Sequence, residues 1–233
     1  MKTILQSAGT GSFLKDAIRD LVVVVVGILA ALWLEAWWQD VQDRKEEAVL
    51  LIGLREEFVA NRAQLADHIE TWKALVASAD RAVTYFGRPV EPSEIKEAKA
   101  AFGGSLEMRF FDPRQGQLSS LINSGKLSLV EDPSLRAKIA DWPGLVGDLD
   151  VERDIALYSV TEGYVKELGR YVAMAEQSPF DDDLEALRSD REVYNSLRFV
   201  GFNARRLVSE GTLILEATDE IIALIDDKLG TSE

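Results

Sequence analysis

The chain has 233 residues, a formal net charge of −14 and 47% hydrophobic residues, which is enough apolar content for one folded domain and an anchor. Its acidic surface repels phosphate backbones and carries no basic patch with interleaved aromatic residues, which argues against nucleic acid as a partner. The absence of cysteine excludes disulfides, thiolate nucleophiles and cysteine-based metal sites, and a single histidine excludes paired-histidine chemistry within one subunit.

The first strong signal is an apolar run, Leu21–Leu34, that contains no charged or polar side chain. Residues 1–16 before it show no periodicity and are predicted to form a flexible tail. Extending the run to residues 17–38 reaches the length of about 20 residues that a helix needs to cross the hydrocarbon core of a bilayer. We therefore predict a transmembrane helix at residues 17–38, with the lipid bilayer as its first partner.

The ends of this helix carry the residues expected at a membrane interface. Trp33, Trp37 and Trp38 crowd one end, as in an aromatic belt at headgroup depth, and Arg19 lies near the other end, where its long side chain can reach water. The tryptophans argue against the two alternatives, a cleaved signal peptide and a buried core helix.

The distribution of basic residues favours one orientation of the anchor. Three basic residues precede it and two follow within the counted distance, namely Lys2, Lys15 and Arg19 against Arg44 and Lys45. The positive-inside rule then predicts a cytoplasmic N-terminus and a periplasmic C-terminal domain at a bacterial inner membrane.

After the anchor, apolar or small residues recur every three or four positions from Trp37 to Phe86, without a proline. This spacing predicts that the anchor helix continues to about Phe86 and ends at Gly87. Arg44 and Asn61 fill two gaps in the apolar stripe, where they would fix helix register or pair with acids of another helix, unless they are simply exposed at its edge. A seam this long also permits self-association as a coiled coil.

Residues 39–233 are predicted to form an acidic helical bundle, because strand signals are nearly absent. The fold class is therefore all-α, with an N-terminal transmembrane helix continuing into a long helix that packs in an antiparallel bundle. Leu106–Phe111 is the only stretch that could be extended. The later helices are predicted from Ser93 to Gly103, Asp112 to Asn123, Asp132 to about Asp141 (broken at Trp142-Pro143-Gly144), Leu145 to Glu176, and Asp183 to Leu229.

Two motifs resemble functional patterns, and each has a simpler structural interpretation. Ser93 and Lys96 match the SxxK pattern of serine acyl-transferases, but a serine after a proline at a helix start is more naturally an N-cap. Four acids have the spacing of an EF-hand calcium loop, although Ala186 occupies the position that requires glycine. These acids are Asp181, Asp183, Glu185 and Glu192.

The only histidine, His68, lies beside Asp67 on the long helix. It is interpreted as a partly buried packing residue or a surface residue, with a pH-sensing role as the alternative, because histidine changes its charge near neutral pH.

Two stretches, Asp20–Asn61 and Leu118–Leu135, together resemble a family of uncharacterised bacterial membrane proteins, the domain of unknown function DUF 6090. This chain differs from the family pattern at Leu34-Glu35, where polar amides are usual, and in being more acidic. The resemblance implies a bacterial envelope protein and an architecture, but no activity. The matching positions are Val26-Gly27-Ile28-Leu29, Trp37, Leu54 to Asn61, and Leu121 to Leu127.

No P-loop, Rossmann glycine pattern, GxSxG elbow or HExxH motif is present in the sequence. We therefore expect no enzymatic activity, no catalytic residue, no cofactor and no metal site. The leading hypothesis is a membrane-anchored interaction or assembly module that forms a homo-oligomer or docks onto another membrane protein complex. The alternative is a membrane-tethered sensor that binds a ligand or responds to pH through His68.

Overall fold

A computed structural model describes residues 10–174 and 178–230, with side chains from residue 18 onward. Every regular element in these residues is helical, which confirms the all-α prediction. In chain order the elements are α1 (Thr10–Val83), α2 (Ile95–Gly104), α3 (Gly116–Asn123), a 3-10 segment (Lys126–Leu129), α4 (Pro133–Tyr158), a π-helical segment (Ser159–Tyr164), α5 (Val165–Leu168), α6 (Leu184–Leu187) and α7 (Arg191–Leu229).

Helix α1 is one uninterrupted helix that includes the predicted anchor. It begins at Thr10 and so contains the last residues of the predicted tail, while residues 1–9 lie outside the described part of the chain. It ends at Val83, three residues before the predicted end, and the following turn closes at Gly87 with a φ of 73°. A left-handed residue of this kind after a helix favours glycine, as predicted.

The chain divides into two compact units, Met1–Val49 and Leu50–Glu233.

Within the second unit, α1 and α7 pack antiparallel, as predicted. Three ion pairs show this direction, because the residue number of the α7 partner falls from 226 to 205 as that of the α1 partner rises from 55 to 80. They are Arg55–Asp226, Arg62–Asp219 and Asp80–Arg205. Helix α4 packs along α7, so the regular apolar stripe of α7 is covered from two sides.

Two apolar clusters fill this unit. The first contains Leu54, Phe58 and Trp72 of α1 with Trp142 of α4 and the C-terminal half of α7. The second joins the end of α1 to α2, the π-helical segment and the start of α7. The burial of these apolar faces is the main force that holds the helices together.

The predicted break at Trp142-Pro143-Gly144 is wrong, because α4 runs through it from Pro133 to Tyr158. A proline inside a helix removes one backbone hydrogen bond and usually kinks or breaks the helix. Here Trp142 and Val146, on either side of it, are both buried in the first cluster, and their burial offsets that loss. The predicted start at Asp132 is confirmed, since its side chain accepts from the backbone N–H groups of Ser134 and Leu135 at 2.7 and 2.9 Å.

The predicted helix from Leu145 to Glu176 is also wrong. Its residues are divided between α4, the π-helical segment and α5, which ends at Leu168. The last predicted helix is two helices, because Asp190 ends the turn after α6 and caps α7 by accepting from the N–H groups of Glu192 and Val193. A strong N-cap inside a helical pattern therefore marks a new helix start.

Two helix starts differ from the predictions. Helix α2 has Glu94 at its N-cap instead of Ser93. Helix α3 begins at Gly116 instead of the Asp112-Pro113 pair, because an acid from α1 supplies its cap. Residues 107–115 before it form no regular structure, so the stretch Leu106–Phe111 does not become a strand.

Gly211 of α7 is expected to tolerate no larger residue, because its backbone lies against the Trp72 ring. A Cβ atom at Gly211 would lie 2.7 Å from Cζ3 of Trp72 and 3.1 Å from Cγ1 of Ile69. Gly211→Ala should therefore lower the free energy of unfolding by about 1–3 kcal/mol, despite the gain in helix propensity. The measurement is urea unfolding of the full chain in mild detergent, monitored by circular dichroism.

Gly147→Ala in α4 is the matched control, since no neighbouring atom of the described residues lies within 4 Å of a Cβ atom at that position. It should stabilise the protein by about 0.5–1 kcal/mol through helix propensity alone. Equal effects of the two substitutions would contradict the close packing of α7 on Trp72.

Candidate functional site

The predicted anchor residues are exposed on α1. The apolar window of this helix has a mean hydropathy of 2.2, and none of it is buried within the chain, which does not fit the core-helix alternative. Trp33, Trp37 and Trp38 are 69%, 48% and 56% exposed, and Arg19 pairs with Asp20 at 3.5 Å. By length and composition, this segment is long and apolar enough to cross a membrane.

Arg44 occupies a gap in the apolar stripe because it is exposed. Its guanidinium forms an ion pair with Asp40, one turn earlier on the same helix. Exposed i, i+4 pairs contribute only a few tenths of a kcal/mol. The simple-exposure interpretation of Arg44 therefore holds, and the pairing partner is not on another helix.

Asn61 is buried and has a defined partner. Its Nδ2 donates to the carbonyl oxygen of Arg114 at 2.7 Å, and its Oδ1 accepts from the backbone N–H of the same residue at 2.8 Å. The prediction that Asn61 pairs with acids of another helix is therefore wrong. It binds the backbone of the irregular segment before α3, which satisfies both backbone polar groups of Arg114.

Two further α1 side chains bind the same region. Glu57 accepts from the backbone N–H groups of Gln117 and Leu118 at 2.8 and 3.0 Å, which replaces the missing N-cap of α3. Trp72 donates from Nε1 to the carbonyl oxygen of Arg109 at 2.8 Å. Sequence reasoning missed Glu57 and Trp72 in this role, because backbone partners leave no pattern in the sequence.

His68 is half-buried beside this segment. Its Nδ1 lies 2.7 Å from the carbonyl oxygen of Gln64, and its ring packs edge-on against Trp72 and Phe111 with centroid distances of 6.1 and 6.2 Å. Asp67 is turned toward Arg109, 3.5 Å away. His68 forms no ion pair within the described ranges, so its contacts are those of a packing residue.

The residues of the two functional-looking motifs take part in local structure. Glu94, inside the SxxK pattern, forms a bidentate pair with Arg88, and both oxygens lie within 3.0 Å of its guanidinium. In the acidic loop, Asp183 caps α6 by accepting from the N–H of Ala186 at 2.9 Å, and Glu185 pairs with Arg188. Glu94, Asp183 and Glu185 therefore contribute to a helix end or an ion pair in the local structure.

The most unusual surface of the bundle lies along the outer side of the contact between α4 and α7, which we call the α4–α7 groove. Three contacts show that the two helices run antiparallel with a constant register: Trp142 with Thr218, Lys138 with Glu220, and Glu152 with Arg206. This register places the last two turns of α4, residues 151–158, beside residues 200–207 of α7. Five large side chains are exposed there, and we call them the α4–α7 apolar patch: Val151, Ile155, Tyr158, Phe199 and Phe202.

The patch is aromatic and largely accessible to solvent. Tyr158, Phe199 and Phe202 are 69%, 50% and 53% exposed, and the rings of the two phenylalanines stack at a centroid distance of 6.4 Å. Single exposed apolar residues are normal on a protein surface, whereas a contiguous group of them marks an interaction surface. The groove is therefore the best candidate for a functional site in the described bundle.

Polar groups lie beneath the patch. Glu152 is buried and pairs with Arg206 through Oε1, while its Oε2 has no partner in the described structure. Nδ2 of Asn203, which the helix register places at the level of Ile155, is also buried without a partner. Unsatisfied buried groups are rare and often belong to functional regions.

The π-helical segment begins directly after the patch, at Ser159, and buries Val160 and Tyr164. A π-helical turn accommodates one extra residue, so the side chains that follow it are rotated around the helix axis. Such turns are frequent at functional sites. Tyr164 donates from its hydroxyl to the carbonyl oxygen of Phe102 at 3.2 Å, which ties this segment to α2.

The Tyr164 hydroxyl should make the stability of the bundle depend on pH in the alkaline range. Burial raises the pKa of Tyr164 above its ordinary value, and the hydrogen bond with Ser105 opposes this only in part. In the unfolded chain tyrosine ionises near pH 10, so above about pH 10 the unfolded state releases a proton that the folded state retains. Stability from this group is complete below about pH 10 and decreases above it, by at most about 1.4 kcal/mol per pH unit.

Urea unfolding of the wild type and Tyr164→Phe between about pH 9 and 11.5 measures this effect. Near pH 7 the variant should lose about 0.5–1.5 kcal/mol with its hydrogen bond. The difference between the two proteins should shrink or reverse above about pH 10. Parallel pH profiles would show that the Tyr164 hydroxyl ionises as easily when folded as when unfolded.

Comparison of the chain with protein-family models, with curated proteins and with solved structures finds no match.

Proposed function

We propose that this protein is a single-pass, membrane-anchored helical module of the bacterial envelope that acts by binding other proteins. The α4–α7 apolar patch carries this proposal, because it exposes three aromatic side chains, two of them stacked on each other, on an otherwise acidic, charged domain. The apolar window of α1 supports membrane attachment. The resemblance at Asp20–Asn61 and the slight excess of basic residues before the anchor support an inner-membrane protein with a periplasmic domain.

A binding role agrees with the chemistry of the described side chains. No group of three or more potential metal-ligating side chains occurs in residues 10–174 and 178–230. Most carboxylates of the functional-looking motifs form caps or ion pairs, namely Glu94, Asp183, Glu185 and Glu192, and we propose no catalytic activity and no cofactor.

A pull-down from the native host in mild detergent, followed by mass spectrometry and a size measurement, tests the proposal. We expect either a homo-oligomer or a reproducible set of membrane proteins that co-purify with the chain. A strictly monomeric protein that co-purifies with nothing would overturn the assembly function.

The alternative function is a sensor that responds to pH through His68. Thermal unfolding between about pH 5 and 8 distinguishes it from the binding function. Histidine is the side chain whose charge normally changes in this range. A midpoint that shifts in the wild type and not in His68→Gln would favour the sensor. Identical profiles for the two proteins would remove it.

A further inference from the structure

The charges along the α4–α7 groove are unequally distributed. The register that pairs Glu152 with Arg206 places Asp148 of α4 at the level of Glu210 of α7, and Asp141 lies two turns further along the groove. None of these three carboxylates forms an ion pair within the described ranges. One end of the groove is therefore aromatic and the other end carries uncompensated negative charge.

Basic residues near the groove do not cancel this charge. Arg206 is paired with Glu152, and Arg153 pairs with two aspartates of its own helix. Arg198, one turn before Phe202, is the basic residue at the aromatic end that has no ion pair in the described structure. The acidic end therefore retains a net negative charge.

The dimensions of the groove match a helix. From Tyr158 to Asp141 the groove follows α4 for about 17 residues, which is roughly 25 Å at 1.5 Å per residue. Leu213, 51% exposed, continues the apolar surface beside the carboxylates. An amphipathic helix that lays an apolar stripe into a groove of this length is a common mode of recognition.

We infer, on the basis of the proposed binding function, that the α4–α7 groove binds a basic amphipathic helix of another protein. The apolar stripe of that helix covers Ile155, Phe199 and Phe202, and its lysine or arginine side chains meet Asp148 and Glu210. A second copy of this chain fits less well, because each copy has a net charge of −14 and would bring the same carboxylates to the contact.

The first experiment uses site-specific photocrosslinking, which reports contact at one position even when the peptide also enters detergent micelles. The full chain in mild detergent carries a photoreactive amino acid at position 202. The probe is a fluorescent 18-residue helix with leucine at helical spacing and lysine elsewhere, and the control peptide has glutamate for every lysine. We expect a crosslink yield at least about tenfold higher for the lysine peptide.

Two matched comparisons locate the binding surface. A crosslinker at position 52, an equally exposed apolar site on α1, should give only background with either peptide. Charge reversal with Asp148→Lys and Glu210→Lys together should lower the yield of the lysine peptide at position 202 and raise that of the glutamate peptide. Equal yields at positions 52 and 202, or no response to charge reversal, would overturn the inference.

The second experiment places the same crosslinker at position 202 in the native host and sequences the crosslinked segment. A basic amphipathic segment of another protein supports the inference, while a segment of this chain, or a lipid adduct alone, overturns it. If partners co-purify with the protein but position 202 gives no crosslink to them, the inferred surface is wrong and the binding function stands. If nothing co-purifies and the protein is monomeric, the function itself fails.

Discussion

Trp142→Ala is expected to lower the free energy of unfolding by about 3–5 kcal/mol, because it removes one of the two buried tryptophans of the first apolar cluster. Trp142 is fully buried, packs edge-on against Phe58 at 5.2 Å between ring centroids, and donates from Nε1 to Oγ1 of Thr218 at 3.0 Å. The substitution leaves a cavity between α1, α4 and α7. It also removes the burial that offsets the helix-breaking effect of Pro143.

Urea unfolding of the full chain in mild detergent, monitored by circular dichroism, measures the loss in the free energy of unfolding. Trp38→Ala is the control for removal of a tryptophan, because that ring is 56% exposed on the anchor segment and should not affect the unfolding of the bundle. Trp142→Phe retains most of the volume and should lose less than Trp142→Ala. A loss below about 1 kcal/mol for Trp142→Ala would contradict its place in the core.

Asn61→Leu is expected to lower the free energy of unfolding by about 2–4 kcal/mol, even though leucine continues the apolar stripe of α1. Asn61 binds both the N–H and the carbonyl oxygen of Arg114, and leucine would leave both groups without a partner. Each such unsatisfied group costs about 1–3 kcal/mol where it is buried. A pattern-based argument predicts the opposite sign, so this substitution separates the two explanations.

Gln64→Leu, one turn later on α1, is the matched control, because the Gln64 side chain is only half-buried. Its effect should stay within about 0.5 kcal/mol. Amide hydrogen exchange adds a local measurement, since Asn61→Leu should speed exchange at Arg114 and Gln117 more than in the middle of α7. Uniform changes across the chain would show that Asn61 stabilises the helix itself instead of the segment before α3.

The helix starts that the sequence predicts correctly are those with a local cap. Asp132 is followed by Pro133, and its carboxylate needs only the N–H groups two and three residues later. The left-handed Gly87 after α1 is a similar case. These signals act over one turn of chain, so neighbouring residues contain all the information.

The predictions that were wrong depend on contacts between distant residues. The proline break failed because the burial of Trp142 and Val146 offsets it, and the start of α3 moved because Glu57 supplies the cap from a helix 60 residues away. In a single sequence, nothing marks two residues that are far apart in the chain as partners in a contact. The same is true of the patch, since Ile155 of α4 and Phe202 of α7 come to about the same level only when α4 lies against α7.

Three features could be read from the sequence alone: the all-α class, the apolar segment that can cross a membrane, and the long amphipathic helix that follows it. Helical periodicity, hydropathy and local caps carry this information, because each acts over a few residues. The folded structure was needed to identify the partner of Asn61, the surroundings of His68 and the aromatic, acidic groove between α4 and α7. Those features depend on which helix faces meet, and packing across the whole bundle settles that.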